Sequence, residues 1–198
     1  PEAGESKYFP PWEPLSPPPQ PVVPEENRPV VIDVETTGTN PVKSRIICIS
    51  AAGLDNPDEI VTFYRKDEKE MVREFIDWFE NKGYNQIVGY MVGFDFKFIW
   101  SRMLRYRIKS KAFYEADLMD LAQILAQGKE AFVYGKHKAG KLDDWAKYLL
   151  GMQKLMSYDE LLKAYEQGRI EDVIEHNRKD VEIELLLYAL IQYCRGEA

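Results

Sequence analysis

Two acidic residues in the segment 30–38, VVIDVETTG, are the strongest indication of chemistry in this sequence. The segment is typical of a buried β-strand that ends in a turn, and side chains on a strand alternate between its two faces. Asp33 and Glu35 are therefore expected on one face, about 7 Å apart at the usual rise per residue, while the apolar residues that alternate with them face a core. Neighbouring carboxylates on a core strand repel each other and lose hydration, so they require protonation or a cation. We expect a divalent metal ion here, with further oxygen ligands from elsewhere in the chain.

Two later segments can supply such ligands. Asp95 in IVGYMVGFDFKFI follows a predicted strand and opens a predicted helix, where ordinary helix capping is the alternative role. Asp180 in VIEHNRKDVEIELL follows His176 by one helical turn, so their side chains share a face, and a solvated polar face is the alternative there. Four further acids match helix starts and exposed faces better than ligand positions: Asp117, Asp120, Asp143 and Asp144.

The elements that position these residues alternate in type along the chain. Hydrophobic periodicity and turn residues predict strands at 30–35, 46–52, 59–64, 86–91 and 112–116. They predict helices at 67–81, 95–106, 118–126, 142–150, 158–166 and 170–193. The connection 128–141 is long enough to be functional. The first three strands form a meander and the later ones alternate with helices, so we predict an α/β domain with a mixed central sheet.

Composition restricts the class of protein. A chain of 198 residues with 45% hydrophobic and 30% charged residues is typical of one globular domain. No apolar run reaches the roughly 20 residues that span a membrane, and no secretory signal is visible, so we expect a cytoplasmic protein. A first residue other than Met is compatible with processing or with excision from a longer polypeptide. Cys48 and Cys194 are expected to be free, buried thiols.

The net charge of −7 argues against a protein that grips nucleic acid by bulk electrostatics. It permits an enzyme that contacts phosphates through bound metal ions and a local basic patch.

Residues 1–28 differ from the domain predicted at 29–198. They hold most of the prolines and show no periodicity, which favours extended, polyproline-like conformations. The segment is either a disordered linker or an arm that docks aromatic residues on a protein partner or on the domain itself. The aromatic residues that such an arm would present are Tyr8, Phe9 and Trp12.

The four acids in their sequence contexts resemble the four-carboxylate, or DEDD, 3′–5′ exonucleases of the ribonuclease H-like superfamily. IDVETTG matches that family's D-x-E-T-T-G motif, and GYMVGFDFKFIWSR resembles the second motif of the exonuclease domain of family B DNA polymerases. HNRKD has the spacing of the third motif, Y-x-x-x-D. The resemblance covers about residues 29–194, and three motifs in order are far more specific than one.

The resemblance implies a ribonuclease H-like fold and an enzyme of DNA replication or repair. Its expected reaction is 3′–5′ hydrolysis of terminal phosphodiesters in single-stranded nucleic acid, with DNA favoured over RNA. Asp33, Glu35, Asp95 and Asp180 would hold two divalent cations, Mg or Mn.

The chain departs from the family pattern at two positions. Met91 stands where the polymerase-like motif usually has Asn, which removes a polar contact near the substrate strand. His176 stands in place of the third-motif Tyr. A neutral imidazole that reaches the attacking water can act as general base near pH 7, and a packed histidine without a catalytic role is the alternative.

Several residues are expected to contact the substrate. Thr36 and Thr37, at the end of the first strand, are placed to seat the terminal nucleotide, and Phe94 packs either against the site or in the core. Two basic segments can track the backbone of the strand, with solvated surfaces as the alternative. Arg102 and Lys138 are their members that we assign to substrate binding. The segments are SRMLRYRIKSK and GKHKAGK.

Two other functions are compatible with this sequence. The first is a catalytically weakened exonuclease-fold module that acts as a nucleic-acid-binding or scaffolding subunit. The intact set of four carboxylates argues against it, and Met91 and His176 argue for it. The second is an endonuclease on the same fold, because two-metal carboxylate sites also cut internal bonds.

Overall fold

A five-stranded mixed β-sheet forms the centre of the protein, whose computed structural model describes residues 27–127 and 140–197. Its strands run in the order β3-β2-β1-β4-β5. The pairs β1–β2 and β2–β3 are antiparallel, whereas β1–β4 and β4–β5 are parallel. The predicted α/β class, an antiparallel meander joined to parallel strands, is confirmed. The strands are β1 Pro29–Thr36, β2 Ile46–Gly53, β3 Val61–Phe63, β4 Gln86–Gly89 and β5 Asp117–Asp120.

Helices cover both faces of the sheet. The first three pack on the face of Val30, Ile32 and Val34, as the alternation along β1 predicts. The others pack on the opposite face, to which Asp33 and Glu35 belong by the same alternation. The helices are α1 Glu68–Lys82, α2 Gly93–Tyr106, α3 Lys111–Glu115, α4 Leu121–Gln127, α5 Leu142–Trp145, α6 Tyr158–Glu166 and α7 Ile170–Arg195.

Local capping explains where two of the predicted helices begin and end. The Asp67 carboxylate accepts a hydrogen bond of 2.8 Å from the Lys69 amide and so starts α1. Gly83 ends α1 with a φ of 69°, which glycine adopts without strain. The Ser157 hydroxyl accepts from the Glu160 amide at the start of α6. The observed bounds of both helices therefore lie within one residue of the predicted ones.

Two of the predicted elements were wrong. Most of the segment 112–116 belongs to the short helix α3 rather than to a strand, because the Ser110 hydroxyl accepts from the Phe113 amide and caps a helical turn. The segment 118–126 is not one helix, because its first residues belong to β5, which pairs in parallel with β4. Helix α4 begins only at Leu121. Short apolar runs fit a strand and a helix equally well, and long-range pairing decides between them.

The predicted helix 142–150 also differs from the structure. Only α5 is α-helical, and it continues as a π-helical turn, Ala146–Leu150, which Gly151 ends with a φ of 64°.

The expectation of two buried thiols was wrong for Cys194, which is exposed, whereas Cys48 is buried. Both cysteines are free.

Some predictions fall on residues that the structure does not describe. The aromatic residues of the arm, Tyr8, Phe9 and Trp12, lie outside the described residues, and so do Lys138 and most of the loop 128–141. Within residues 27–127 and 140–197, none of the helices combines the length and the apolar character that a membrane crossing requires.

Candidate active site

Strand β1 presents the two acids of the first motif toward helix α7. The Asn177 side-chain amide donates to the Asp33 carboxylate at 2.5 Å and to the Asp33 carbonyl at 3.2 Å. Glu35 is 8% exposed. Asn177 therefore ties the helix to the strand at the first acid and fixes the orientation of its carboxylate. Sequence reasoning missed Asn177, although it directly follows His176.

Helix α7 contributes His176 and Asp180, both buried, so the alternative of a solvated polar face is excluded. The His176 Nε2 atom lies 3.7 Å from a Glu35 carboxylate oxygen and 3.8 Å from an Asp180 carboxylate oxygen. The spacing of one helical turn thus places both side chains against β1, as expected. The imidazole lies between two acids of the predicted quartet.

Asp95 reaches the same region from the other side. Helix α2 follows β4 and begins at Gly93, so Asp95 is its third residue and not its N-cap. Its carboxylate accepts a 3.0 Å hydrogen bond from the amide of Val34, the residue between the two acids of β1. The simple capping alternative is therefore excluded. All four predicted carboxylates meet around the end of β1.

A lysine that sequence reasoning missed enters this cluster. Lys154 lies in the connection between the π-helical turn and α6, and its ammonium group forms an ion pair with Asp180. The Lys154 backbone amide donates to the Asp143 carboxylate at 2.9 Å, which holds the connection in place. No periodicity or motif marks residues 151–157, so the sequence contains no signal for this contact.

Burial and mutual repulsion raise the pKa values of the four carboxylates. Burial, and after it the Asp180 carboxylate, raises the pKa of Asp33 to about 7. Burial raises the pKa of Asp180 to about 6, although Lys154 lowers it. Burial and then Asp33 raise the pKa values of Glu35 and Asp95 well above their usual range. Because one lysine cannot neutralise four carboxylates, the cluster favours protons or further cations.

His176 is held neutral in this cluster. Burial, and after it the positive charge of Lys154, lowers its pKa to about 4. A neutral imidazole retains one nitrogen that can accept a proton or bind a metal ion. The His176 Nδ1 atom is buried and has no hydrogen-bond partner among the residues that the structure describes. The geometry therefore permits both a ligand role and a general-base role.

Glu184 is a further buried acid, one turn beyond Asp180 on α7. One of its oxygens accepts a 3.0 Å hydrogen bond from the Tyr90 amide, at the end of β4. Its other oxygen, Oε2, has no partner within the described part of the chain. Burial and then Asp33 raise its pKa well above the usual range. The sequence did carry a signal for this residue, since 176, 180 and 184 repeat at one helical turn.

The donor set fits a divalent cation. Glu35, His176 and Asp180 each place one ligand atom within 4.8 Å of the other two. The second oxygen of Asp180 is buried and has no partner in the described residues, so it is available as a further ligand atom. Carboxylate oxygens and a neutral imidazole are common ligands of divalent metals.

The residues expected to contact the substrate have different surroundings. Thr36 is buried and its hydroxyl donates to the Gly38 carbonyl at 2.9 Å. The Thr37 hydroxyl accepts from the Arg45 amide at 3.0 Å. Phe94 is partly buried and packs against the hydrophobic core of the α2 side. These three residues lie close to the acids in sequence, and their contacts with substrate stay predictions.

Arg102 is buried and fully engaged within the protein. Its guanidinium donates to the Glu68 carboxylate at 2.8 Å, to the Pro41 carbonyl at 2.7 Å and to the Ser44 carbonyl. These contacts join α2 to α1 and to the β1–β2 turn, and they leave Arg102 a structural role instead of the expected contact with substrate. Lys138 lies outside the described residues.

Met91 forms part of a tight turn between β4 and α2. It has a φ of 61°, its side chain is exposed, and its amide donates to the Asp120 carboxylate at 2.9 Å. Asp120 also accepts from the Ala122 amide at the start of α4. The acids excluded from the site thus stand at helix starts and exposed positions, as expected for Asp120, Asp143 and Asp144.

A mixed five-stranded sheet with a buried acidic cluster at the end of its central strand defines a ribonuclease H-like α/β protein. The family model described as the RNase_H superfamily matches residues 30–192, and the chain therefore belongs to this superfamily. An uncharacterized protein of Methanocaldococcus jannaschii is 30% identical over 176 residues, which are 83% of this chain and 95% of that protein.

Among solved structures, the family B DNA polymerase of the hyperthermophilic archaeon Pyrobaculum calidifontis is similar to this chain. The match has a TM-score of 0.67 and 18% sequence identity, and it covers 85% of this chain. The chain spans about a quarter of the polymerase, 26% of its length. This similarity shows the fold.

Proposed function

We propose that the protein is a metal-dependent 3′–5′ exonuclease that hydrolyses the terminal phosphodiester of single-stranded nucleic acid, with DNA favoured over RNA. The observation that carries this proposal is the meeting of four carboxylates from β1, α2 and α7 at the end of β1, three of them buried, with a neutral histidine beside Glu35 and Asp180. Membership of the RNase_H superfamily supports it. The acids of the site are Asp33, Glu35, Asp95 and Asp180, with His176 beside them.

The residues of the chain would orient the cluster before substrate arrives. Asn177 fixes the carboxylate of Asp33, and the Val34 amide fixes that of Asp95. Preset ligands of this kind need little reorganisation during reaction, which favours the transition state. Two divalent cations held by the four carboxylates, Mg or Mn, would polarise the phosphodiester and acidify the attacking water.

His176 has a defined place in this proposal. Its Nε2 atom is directed at the space between Glu35 and Asp180, where it can accept the proton of the attacking water or bind a cation. Because its pKa is lowered to about 4, the imidazole is unprotonated at neutral pH and available for either role. The hydroxyl and backbone groups of Thr36 and Thr37 would seat the terminal nucleotide.

A digestion series tests the proposal. Single-stranded DNA and RNA labelled at the 5′ end are incubated with Mg²⁺ or Mn²⁺, and the shortening of the labelled strand from its 3′ end is followed. Wild type is expected to shorten the strand stepwise, and Asp33→Ala is expected to abolish cleavage. The exposed acid Asp117 provides the matched control, because Asp117→Ala removes a carboxylate that lies outside the cluster. If no substrate is cleaved with either metal ion, the proposed exonuclease activity is contradicted.

The His176→Ala variant separates the two roles of the histidine from the metal chemistry. A large loss of rate with unchanged Mn²⁺ affinity supports the general base, and a loss of both supports a ligand. A near-normal rate removes both assignments and leaves the carboxylates as the catalytic set.

One observation favours a second candidate, a nucleic-acid-binding module with weakened catalysis. Lys154 already supplies positive charge to Asp180, so part of the cluster is neutralised without a metal ion. The digestion series separates the two candidates, because the module would bind nucleic acid without releasing nucleotides. A circular single strand tests the endonuclease alternative, since an exonuclease leaves it intact.

A further inference from the structure

An open groove lies beside the end of β1. It is formed by the β1–β2 turn, the residues that precede α1 and the C-terminal half of α2. Three segments distant in sequence contribute exposed basic side chains to it. We call this surface the basic groove, and its basic residues are Lys43, Arg45, Lys66 and Arg105. Only the last of these belongs to a basic segment visible in the sequence.

The acids that line the basic groove neutralise only part of its positive charge, because Glu68 is paired with Arg102 and Asp67 is one carboxylate against four exposed cations. The Asp67 carboxylate accepts from the Lys69 and Glu70 amides and caps α1. Glu68 is bound to the buried Arg102 and to the Tyr106 hydroxyl.

The four exposed basic residues themselves form no ion pair with any residue that the structure describes. Their charge is therefore available to an external anion.

Two backbone contacts keep the basic groove in shape. The Arg45 guanidinium donates to the Lys66 carbonyl at 3.1 Å, which joins the β1–β2 turn to the segment before α1. The amide of Thr37 donates to the Arg45 carbonyl at 3.0 Å. The β1–β2 turn, which carries Lys43 and Arg45, is thus fixed to the segment before α1 and to the end of β1.

The end of β1 links the acidic cluster to the basic groove along the chain. Thr37 lines the groove and stands two residues after Glu35 on the same chain segment. At the rise of a strand this separation is about 7 Å, close to the length of one nucleotide along an extended single strand. A strand whose terminal phosphodiester lies at the cluster can therefore continue directly into the groove.

We propose that the basic groove binds the phosphate backbone of single-stranded nucleic acid, a few nucleotides from the end that lies at the carboxylates. The inference rests on the proposed exonuclease function. Exposed cations spaced along an open groove fit a polymer with one charge per residue and read no base sequence. An acidic protein segment has similar charge, but the position of Thr37, which lines the groove two residues after Glu35, favours a nucleic acid whose end lies at the carboxylates.

Salt dependence of binding measures these contacts directly. A 5′-fluorescein-labelled oligothymidylate of about twelve nucleotides is titrated in EDTA, so that no cleavage occurs, at several salt concentrations. Each phosphate contact with a single strand contributes about 0.7 to the slope of log K against log salt. The triple variant Lys43→Gln/Lys66→Gln/Arg105→Gln is expected to lower that slope by about 2 and to bind more weakly at low salt.

A control variant removes the same charge elsewhere. Lys82→Gln/Lys111→Gln/Lys163→Gln changes three exposed lysines outside the groove and is expected to keep the wild-type slope. Thermal melting of both triple variants verifies that they are folded. A groove variant that is folded and has the slope of the control overturns the proposal, and so does tighter, groove-dependent binding of poly-glutamate.

The same measurements distinguish a failure of the groove proposal from a failure of the proposed exonuclease function. If wild type binds the oligonucleotide with the groove-dependent slope but releases no nucleotide with Mg²⁺ or Mn²⁺, the groove is supported and the exonuclease is contradicted. If wild type cleaves a dinucleotide, which is too short to reach along the basic residues of the groove, and the slopes of the groove and control variants agree, the exonuclease is supported and the groove proposal is overturned.

Discussion

Two acidic sites of the protein, the single residue Glu68 and the acidic cluster at the end of β1, differ in how their charge is balanced. Glu68 accepts hydrogen bonds from Arg102 at 2.8 Å, from the Tyr106 hydroxyl at 2.6 Å and from the Ile46 amide at 2.6 Å. Burial alone would raise the pKa of Glu68, but the hydrogen bonds from Tyr106 and Arg102 outweigh it and lower the pKa below its usual value. This carboxylate is fully ionised and fully partnered.

The acidic cluster at the end of β1 has the reverse character. Its carboxylates repel one another, their pKa values are raised, and Lys154 is the cation that reaches them from the described residues. A carboxylate whose charge is balanced by a cation stabilises a fold, whereas several carboxylates that share one cation repel one another and favour protons or further cations. The difference supports a structural role for Glu68 and the proposed cation binding by the cluster.

The largest change in unfolding free energy is expected from breaking the ion pair of Glu68 with Arg102. Arg102→Met leaves Glu68 without its counter-charge in a mostly buried position, and loss of such a partner costs about 3–5 kcal/mol of unfolding free energy. Urea denaturation measures this loss. The control is Arg105→Met, one turn further along α2 and exposed, for which the expected change is within about 0.5 kcal/mol. Equal effects of the two substitutions would contradict the structural role of Arg102.

The second prediction concerns pH, because the cluster retains protons in the folded state. Carboxyl groups with raised pKa values stabilise the metal-free fold fully below about pH 4, where the unfolded chain is also protonated. That stabilisation is lost as the pH rises through about 6 and 7, the pKa values of Asp180 and Asp33. His176 acts in the opposite direction between about pH 4 and its usual pKa near 6.5, but it is one group against several carboxyls.

In EDTA, the melting temperature should therefore fall as the pH is raised from about 5 to about 8. Asp33→Asn should flatten the fall, since it removes one of the groups that release protons. A melting temperature of wild type that rises throughout this range would contradict the raised pKa values.

The third prediction is a stability gain from a substitution that destroys the site. Asp33→Asn keeps the shape of the side chain and its contact with Asn177 but removes one repelling charge. The metal-free protein at pH 8 should gain on the order of 2 kcal/mol of unfolding free energy, as measured in urea with EDTA. The matched substitution Glu68→Gln should instead destabilise the protein, because it removes the charge that Arg102 requires. Destabilisation by both would remove the distinction between the two groups.

The smallest effect is expected from the lysine in the cluster. Lys154→Met removes the ammonium that competes with a metal ion for Asp180, so Mn²⁺ should bind more tightly by calorimetry. The metal-free protein should lose about 1 kcal/mol near neutral pH, because Asp180, whose pKa burial already raises to about 6, can take up a proton once the ammonium group is gone. Lys147→Met is the control, since Lys147 pairs with Asp143 and more than half of its side chain is exposed. Weaker Mn²⁺ binding by the Lys154 variant would make the lysine a supporting residue and not a competitor.

Much of this arrangement was predictable from local rules. Alternation on a strand places Asp33 and Glu35 together, and the spacing of one turn places His176 beside Asp180. The same spacing extended by one turn would have identified Glu184. The parallel pairing of β5 with β4 was not predictable, because it depends on residues distant in sequence.

The partners of these residues were harder to predict. Lys154 lies in an irregular connection, and its approach to Asp180 depends on the Asp143 contact that holds its backbone. The basic segment 101–111 was recognised, but burial separates its members: Arg102 turns inward to Glu68 while Arg105 faces the basic groove. Charge in a sequence does not reveal which side chains fold inward.

The most direct test of the central claim is the shift in melting temperature on adding Mn²⁺ near pH 7.5, measured for wild type, Asp33→Asn and Arg105→Met. If the cluster exists to bind a divalent cation, wild type and Arg105→Met should be stabilised by several degrees, as ligand binding to the folded state requires. Asp33→Asn should show little or no shift. An unshifted wild type, or an equal shift in Asp33→Asn, would contradict the assignment of the acidic cluster as a metal site.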